Sequence, residues 1–318
     1  MCVNPYLAST PGRTRTCNRR IRNPLLYPFE LRGHLPDDGS FVLEQSRLIA
    51  SSIPRPLFSR ASASSSKPVM SLPIELLGPA DVHAWFTLTQ EIRYTELVEA
   101  YAALLSADER KRFQRLRFEH DRRDYLVAHA LLRTTLARYL AQTPEEIALT
   151  HNRFGKPELA EAADRLEFNL SHARGIAVVA VGRGGAVGVD AENTERMVDV
   201  VSLRRFLAPA EVSQFESWPP EQHRAAFFTF WTLKEAYVKA RGQGLSIPLD
   251  SFAFQLAAEA REPIGFTPAE DDPCRDWLAA VFRPQDRYCV AVVAEQPAHL
   301  ARRLCVKQTI LLAGGSSS

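Results

Sequence analysis

Trp231-Thr232-Leu233-Lys234-Glu235-Ala236-Tyr237-Val238-Lys239-Ala240-Arg241-Gly242-Gln243-Gly244 is the stretch on which the reading of this chain turns. Residues 223 to 239 contain neither Gly nor Pro, and Gly242 follows where a helix C-terminal cap belongs. The segment therefore reads as the end of a long helix. At about 3.6 residues per turn, Trp231, Glu235 and Lys239 share one stripe. One reading is an exposed Glu235-Lys239 ion pair, the commonest helix-surface pairing. The other is a buried helix, because Phe227, Phe228 and Phe230 precede the stripe, and buried charges need a partner or a task.

Upstream, Val187-Gly188-Val189-Asp190-Ala191-Glu192 is an apolar strand that ends in two carboxylates at i and i+2. Strand side chains alternate, so Asp190 and Glu192 point the same way. Either they form a solvated strand end, or a cation sits between them to relieve their repulsion. With Glu235 they make three hard oxygen ligands with no His or Cys, which suits Mg²⁺ rather than Zn²⁺.

G-V-D-A-E followed about 40 residues later by W-T-L-K-E-A-Y-V-K-A-x-G-x-G resembles the signature of the 4′-phosphopantetheinyl transferases. Phe154-Gly155-Lys156-Pro157 and Phe168-Asn169-Leu170-Ser171-His172 precede it in the family's order. The resemblance is to the two-lobed, single-chain type that activates peptide synthetase, polyketide synthase and fatty-acid carrier proteins, and it spans roughly residues 75 to 297. It implies an α+β, pseudo-duplicated fold with the ligand cleft between lobes. It implies Mg²⁺ (or Mn²⁺) on Asp190, Glu192 and Glu235, and coenzyme A as co-substrate. The CoA phosphates would meet Arg112, Lys156, Ser171, His172 and Lys239. A serine of an apo acyl or peptidyl carrier protein would be the acceptor, Glu235 the base, and Lys239 the group that stabilises charge on the leaving side. Two other classes stay open: a non-catalytic CoA- or carrier-binding protein, and another Mg²⁺-dependent phosphotransferase or pyrophosphatase.

The composition suits a soluble globular protein, with 46% hydrophobic and 24% charged residues among 318. No apolar run approaches the roughly 18 residues of a membrane span. Five cysteines, with no C-x-x-C pair, indicate neither a disulfide framework nor a zinc site and fit a reducing cytoplasm. Residues 1–69 carry ten Lys/Arg against four acids, net +6, so the remainder carries 29 against 33, net −4. The body is thus not expected to bind nucleic acid or membrane. The Arg-, Ser- and Pro-rich stretch 1–69 reads as a disordered extension: a transit peptide, a basic interaction arm or, the favoured reading, a mis-called start ahead of Met70, where the globular pattern begins. The expected division is residues 70–186 as an N-terminal lobe, 187–300 as a C-terminal lobe with the metal ligands, and 301–318 as a tail. A two-lobed chain would complete its site as a monomer.

Local patterns place strands over residues 83–89, 148–152, 168–170, 175–181 and 248–256, and a hairpin from 277–282 and 288–294. Helices are expected over 91–105, over a basic segment after Ser106 that carries Arg110, Lys111, Arg112, Arg115 and Arg117, and over 121–140, 202–206 and 209–218. Arg133 borders the apolar stripe of the 121–140 helix and is a second phosphate candidate. Gly182-Arg183-Gly184-Gly185 lacks the G-K-[ST] ending of a phosphate loop. Gly175-Ile176-Ala177-Val178-Val179-Ala180 recurs as Cys289-Val290-Ala291-Val292-Val293-Ala294, a weak sign of duplication. No usable motif follows Pro297.

Overall fold

The computed structural model describes residues 74–92, 94–161, 165–297 and 299–309. The expected 1–69 extension lies outside them. The chain forms four layers: helices, a four-stranded sheet, a three-stranded sheet and helices again. The first sheet has the order β11-β1-β5-β4, from β1 (Asp81–Leu88), β4 (Leu166–Ala173), β5 (Ile176–Arg183) and β11 (Arg303–Gln308). The second has the order β6-β10-β9, from β6 (Val187–Asn193), β9 (Trp277–Phe282) and β10 (Tyr288–Glu295).

The unbroken apolar runs in these strands follow from burial on both faces. Along β5, Ile176, Val178 and Ala180 pack between the sheets, while Ala177, Val179 and Val181 pack under the helices. Along β10, Val290 and Val292 face the first sheet, and Ala291 and Val293 face the helices of the second. The first sheet is covered by α1 (Tyr94–Leu104) and α3 (Glu119–Leu140), with α2 (Ala107–Arg115) against α3. The second is covered by α4 (Pro209–Ser217) and α5 (Pro220–Arg241). Ser106 caps α2 with a full capping box, accepting from the Glu109 N–H while the Glu109 carboxylate accepts from the Ser106 N–H.

Short hairpins complete the chain: β2 (Leu149–His151) with β3 (Pro157–Leu159), and β7 (Ala253–Leu256) with β8 (Pro263–Thr267). The strand expected over 248–256 is shorter, because a 3-10 turn, Leu249–Ser251, takes its start. The 202–206 segment is likewise a 3-10 helix, Val201–Phe206. The largest departure is at the C-terminal end. Residues 303–308, expected in a tail, form β11 and pair in parallel with β1. Six residues with alternating apolar positions gave too little signal to recognise, and parallel partners distant in sequence leave no local trace.

The strand β6 lies directly on α5. Val187, Val189 and Ala191 face the first sheet, so Gly188, Asp190 and Glu192 face the helix. A Cβ at Gly188 would stand 2.0 Å from the Ala236 carbonyl oxygen and 2.4 Å from the Ala240 nitrogen. Glycine is needed there for the close approach of two backbones. At the far end, Gly242 closes α5 at φ 63°, donating its N–H to the Val238 and Lys239 carbonyls.

Lys234 fixes α5 from its other side. It is fully buried, as is its partner Glu211, 2.7 Å away. The ammonium also donates to the Leu249 and Phe252 carbonyls, and the carboxylate accepts from the Ala208 and Phe254 N–H groups. Every strong donor and acceptor of the pair is satisfied, which is the condition for a buried ion pair to be tolerated.

Two stability outcomes follow. Gly188→Ala forces backbone against backbone and is expected to cost about 3 kcal/mol or more in urea unfolding. Lys234→Met strands the Glu211 carboxylate and is expected to cost about 3–5 kcal/mol by the same measurement.

Candidate active site

The β4 and β6 strands lie side by side at the seam between the sheets. Asn169 on β4 closes that seam by accepting from the Val189 N–H at 3.0 Å, a structural role. Two residues along, Ser171 points the same way, and its hydroxyl meets Asp190 at 3.2 Å. The Lys239 ammonium arrives from α5 and donates to Ser171 Oγ at 3.0 Å and to Asp190 Oδ1 at 2.5 Å. The exposed Glu235-Lys239 pair considered above is therefore not what forms, because Lys239 reaches across to the strand.

Asp190 is 1% exposed, and its second carboxylate oxygen, Oδ2, is buried without a hydrogen-bond partner among the described residues. Burial pushes the Asp190 carboxyl up, against the Lys239 charge and the hydrogen bonds from Lys239 and Ser171. Burial also pushes Glu235 up to about 7, helped by the Asp190 charge and opposed by Lys239. Two carboxylates thus share one ammonium, and the group carries one negative charge more than positive when both are ionised.

Glu192 is 1% exposed on the same face of β6. Its two oxygens are clasped by Arg196, four residues on. The three carboxylates expected to form a cage are not gathered into one: among the described residues, no group of three or more Asp, Glu, His or Cys side chains could hold a metal ion. Asp190 and Glu235 fit a hard cation, since they offer an orphaned buried oxygen and an unbalanced charge. One or two carboxylates, completed by water and substrate phosphates, are the usual protein share of a Mg²⁺ site.

The expected phosphate-binding residues divide. His172, half-buried on β4, is held down to about 3 by burial, with His129 and Lys239 adding their charges. Arg112 lies exposed in the last turn of α2. Lys156 sits on β2-β3, and its ammonium donates to the Val187 carbonyl at 3.4 Å and the Ala240 carbonyl at 3.2 Å. Two of its three N–H groups are thereby spent tying the hairpin to β6 and α5, as is Asn152, which donates to the Gly242 carbonyl. Arg133, the second phosphate candidate, is 1% exposed and donates to Glu109 and to the Pro144 and Ile147 carbonyls, so it is structural. Arg196 and His129 were not foreseen. Arg196 reaches Glu192 from four residues on in the same chain segment, whereas His129 meets Glu109 only through the packing of α2 on α3.

The two halves of the chain match two family models: residues 93–183 the N-terminal 4′-phosphopantetheinyl transferase model, and residues 186–293 that of the 4′-phosphopantetheinyl transferase superfamily. The chain is 34% identical over 218 residues to the 4′-phosphopantetheinyl transferase HetI of Nostoc sp., covering 67% of this chain and 87% of that protein. It is 32% identical over 241 residues to a phosphopantetheinyl transferase of Thraustochytrium sp., covering 69% and 81%. It is 30% identical over 196 residues to a 4′-phosphopantetheinyl transferase of Bacillus subtilis, covering 61% and 84%. The chain belongs to the 4′-phosphopantetheinyl transferase superfamily.

The raised Glu235 carboxyl has a measurable consequence in chelator-treated protein. Below its ordinary 4.5 it is protonated whether folded or not; as pH rises toward about 7, only the unfolded chain ionises freely and stability is lost. His172 acts in the opposite direction over part of that range. The quantity to read is therefore the urea-unfolding difference between Glu235→Gln and wild type. It is expected to shift in the variant's favour from about pH 5 to about pH 7.5.

Proposed function

We propose that this chain transfers the 4′-phosphopantetheine arm of coenzyme A to a serine of an apo acyl or peptidyl carrier protein, releasing 3′,5′-ADP. The observation that carries the reading is the buried Asp190-Lys239-Ser171 triangle beside Glu235. It supplies a base, a cation and a hydroxyl donor at one point, in a chain of this family.

In the proposed reaction the serine oxygen bonds to the phosphorus that carries the pantetheine arm. The bridging bond to the adenylate phosphate breaks, and the electron pair leaves on 3′,5′-ADP. The serine proton passes to the Glu235 carboxylate. Lys239 sets its positive charge against the oxygens that gain negative charge. Ser171 and Asp190 hold the ammonium in place, and His172 and Arg112 line the approach for the nucleotide phosphates. Lys156 holds the floor of the site by joining β6 to α5 and has one N–H left for a phosphate.

Asp190 and Glu235 would hold Mg²⁺ or Mn²⁺, with Glu192 joining if Arg196 is displaced. The ion would neutralise the pyrophosphate and stabilise charge as the bond breaks. The reading sets the reaction in the cytoplasm and on a single chain, with no nucleic-acid or membrane partner. Among the described residues Cys274, Cys289 and Cys305 form no disulfide, and no helix is long and apolar enough to cross a membrane.

The test is to incubate the protein with CoA, Mg²⁺ and apo carrier proteins of the fatty-acid, polyketide and peptide-synthetase types, and to weigh the carriers intact. A gain of one phosphopantetheine, abolished by chelator, is expected. Glu235→Gln is expected to lower turnover about a hundredfold or more while CoA affinity, by calorimetry, stays within about threefold. CoA binding without any transfer would favour the non-catalytic reading, and phosphate release without a carrier would favour another phosphotransferase or pyrophosphatase.

A further inference from the structure

Glu192 and Glu211 are both buried carboxylates with a cation beside them, but the two pairs are built differently. Lys234 and Glu211 are each fully buried, and backbone groups take up their further hydrogen bonds, so neither has a way out to solvent. The Glu192 side chain is 1% exposed on β6, while that of its partner Arg196 is 32% exposed. Arg196 stands in the loop after β6 and reaches back four residues, donating from Nε and Nη2 to the two carboxylate oxygens. One side of this pair is fixed, and the other opens to water.

The backbone of the loop is held. The Arg196 N–H donates to the Asn193 carbonyl at 3.2 Å and the Thr194 N–H to the Arg287 carbonyl at 3.0 Å. Arg224 donates to the Thr194 and Arg196 carbonyls. Release of Glu192 is therefore a swing of one side chain. The Arg196 guanidinium lies 5.8 Å from the centre of the Phe228 ring, and Arg224 sets a second positive charge over the same ring at 5.2 Å, which weakens that seat.

Charge decides which exchange is favoured. When ionised, Asp190, Glu192 and Glu235 carry three negative charges against the two positive charges of Lys239 and Arg196. A divalent cation added to these protein groups leaves one positive charge in excess. A divalent cation that takes the place of Arg196 leaves them neutral, the cheaper state for charges out of water. The exchange also gives Glu192 a partner before and after, as a buried carboxylate requires.

We propose that Arg196 is a positioning residue that competes with the metal: it holds Glu192 apart from Asp190 and Glu235 until a divalent cation displaces it, and so sets the affinity of the site for that ion. This rests on the reading above that Asp190 and Glu235 hold such an ion. It gives Arg196 no contact with substrate and no part in bond making.

The test titrates Mn²⁺ into metal-stripped protein, with CoA present and absent and no carrier, and reads binding by electron paramagnetic resonance. Arg196→Met is expected to bind Mn²⁺ about tenfold tighter than wild type, the scale of the charge-assisted hydrogen bonds that no longer have to be broken. Arg196→Lys keeps the charge without the two-pronged grip and is expected to fall between them. In a Glu192→Gln background, Arg196→Met is expected to change Mn²⁺ affinity by less than about twofold, because no carboxylate is left to compete for. Urea unfolding gives a second readout. Arg196→Met is expected to be less stable than wild type in chelator, and saturating Mn²⁺ is expected to narrow that gap. Weaker or unchanged Mn²⁺ binding by Arg196→Met would reduce Arg196 to a structural staple and overturn the proposal. An equal gain in both backgrounds would show a general charge effect and overturn it as well, as would no ion bound by wild type or variants. If wild type bound Mn²⁺ but modified no carrier, only the transferase reading would fall, and the titration would still decide the role of Arg196.

Discussion

The contact of the β6 backbone with the backbone of α5 at Gly188 sets every distance in the site. With any side chain at residue 188 the helix would stand off, since a Cβ would press on Ala236 and Ala240. Because the helix lies flat on the strand, Lys239 can reach Asp190 at 2.5 Å and Ser171 at 3.0 Å, bridging three elements with one ammonium. Lys234 and Glu211 hold the opposite face of the helix, and Lys156 and Asn152 hold its C-terminal end. The helix is fixed on three sides before it presents anything to a substrate.

Two buried charge clusters in this molecule differ in their balance. Glu211 and Lys234 cancel, and their hydrogen bonds go to backbone groups that would otherwise be orphaned. Asp190, Glu235 and Lys239 do not cancel once both carboxylates are ionised, and Asp190 keeps an unpartnered oxygen among the described residues. Desolvating a charge costs several kcal/mol, so a cluster shaped by stability alone would be neutral. An imbalance held in a rigid seam marks a place built for a charged ligand. Glu192 occupies a middle position: its charge is met by Arg196 from its own loop, in a bond that a stronger cation could displace.

The same seam explains why the chain must be folded whole. Its carboxylates come from β6, its hydroxyl and imidazole from β4, and its ammonium from α5. The sheet that carries β4 is completed by β11, from the far end of the described chain. The Asn169 side chain bonds to the β6 backbone where the two sheets meet. The first sheet therefore draws on both ends of the described chain, and its site-bearing edge is aligned on β6.

Much of this was legible in the residues. The α5 helix was evident from its unbroken run and from Gly242. The shared face of Asp190 and Glu192 followed from strand alternation, and the Ser106 cap followed from its acids. These are local consequences of backbone geometry, and short-range sequence carries them. The roles of the charged side chains were not legible. Lys156 also ties backbone carbonyls of β6 and α5 together, Arg133 turns onto Glu109 and two backbone carbonyls, and Glu192 pairs with Arg196, none of which the residues announced. His129 gave no signal, because its neighbours His172 and Glu109 lie on other elements. A sequence fixes which groups a segment carries and which face they share, since both are set within a few residues. Which partner each charge meets depends on contacts between segments 20 to 110 residues apart, such as Glu109 with His129 and Lys156 with Ala240, and only the tertiary structure decides those.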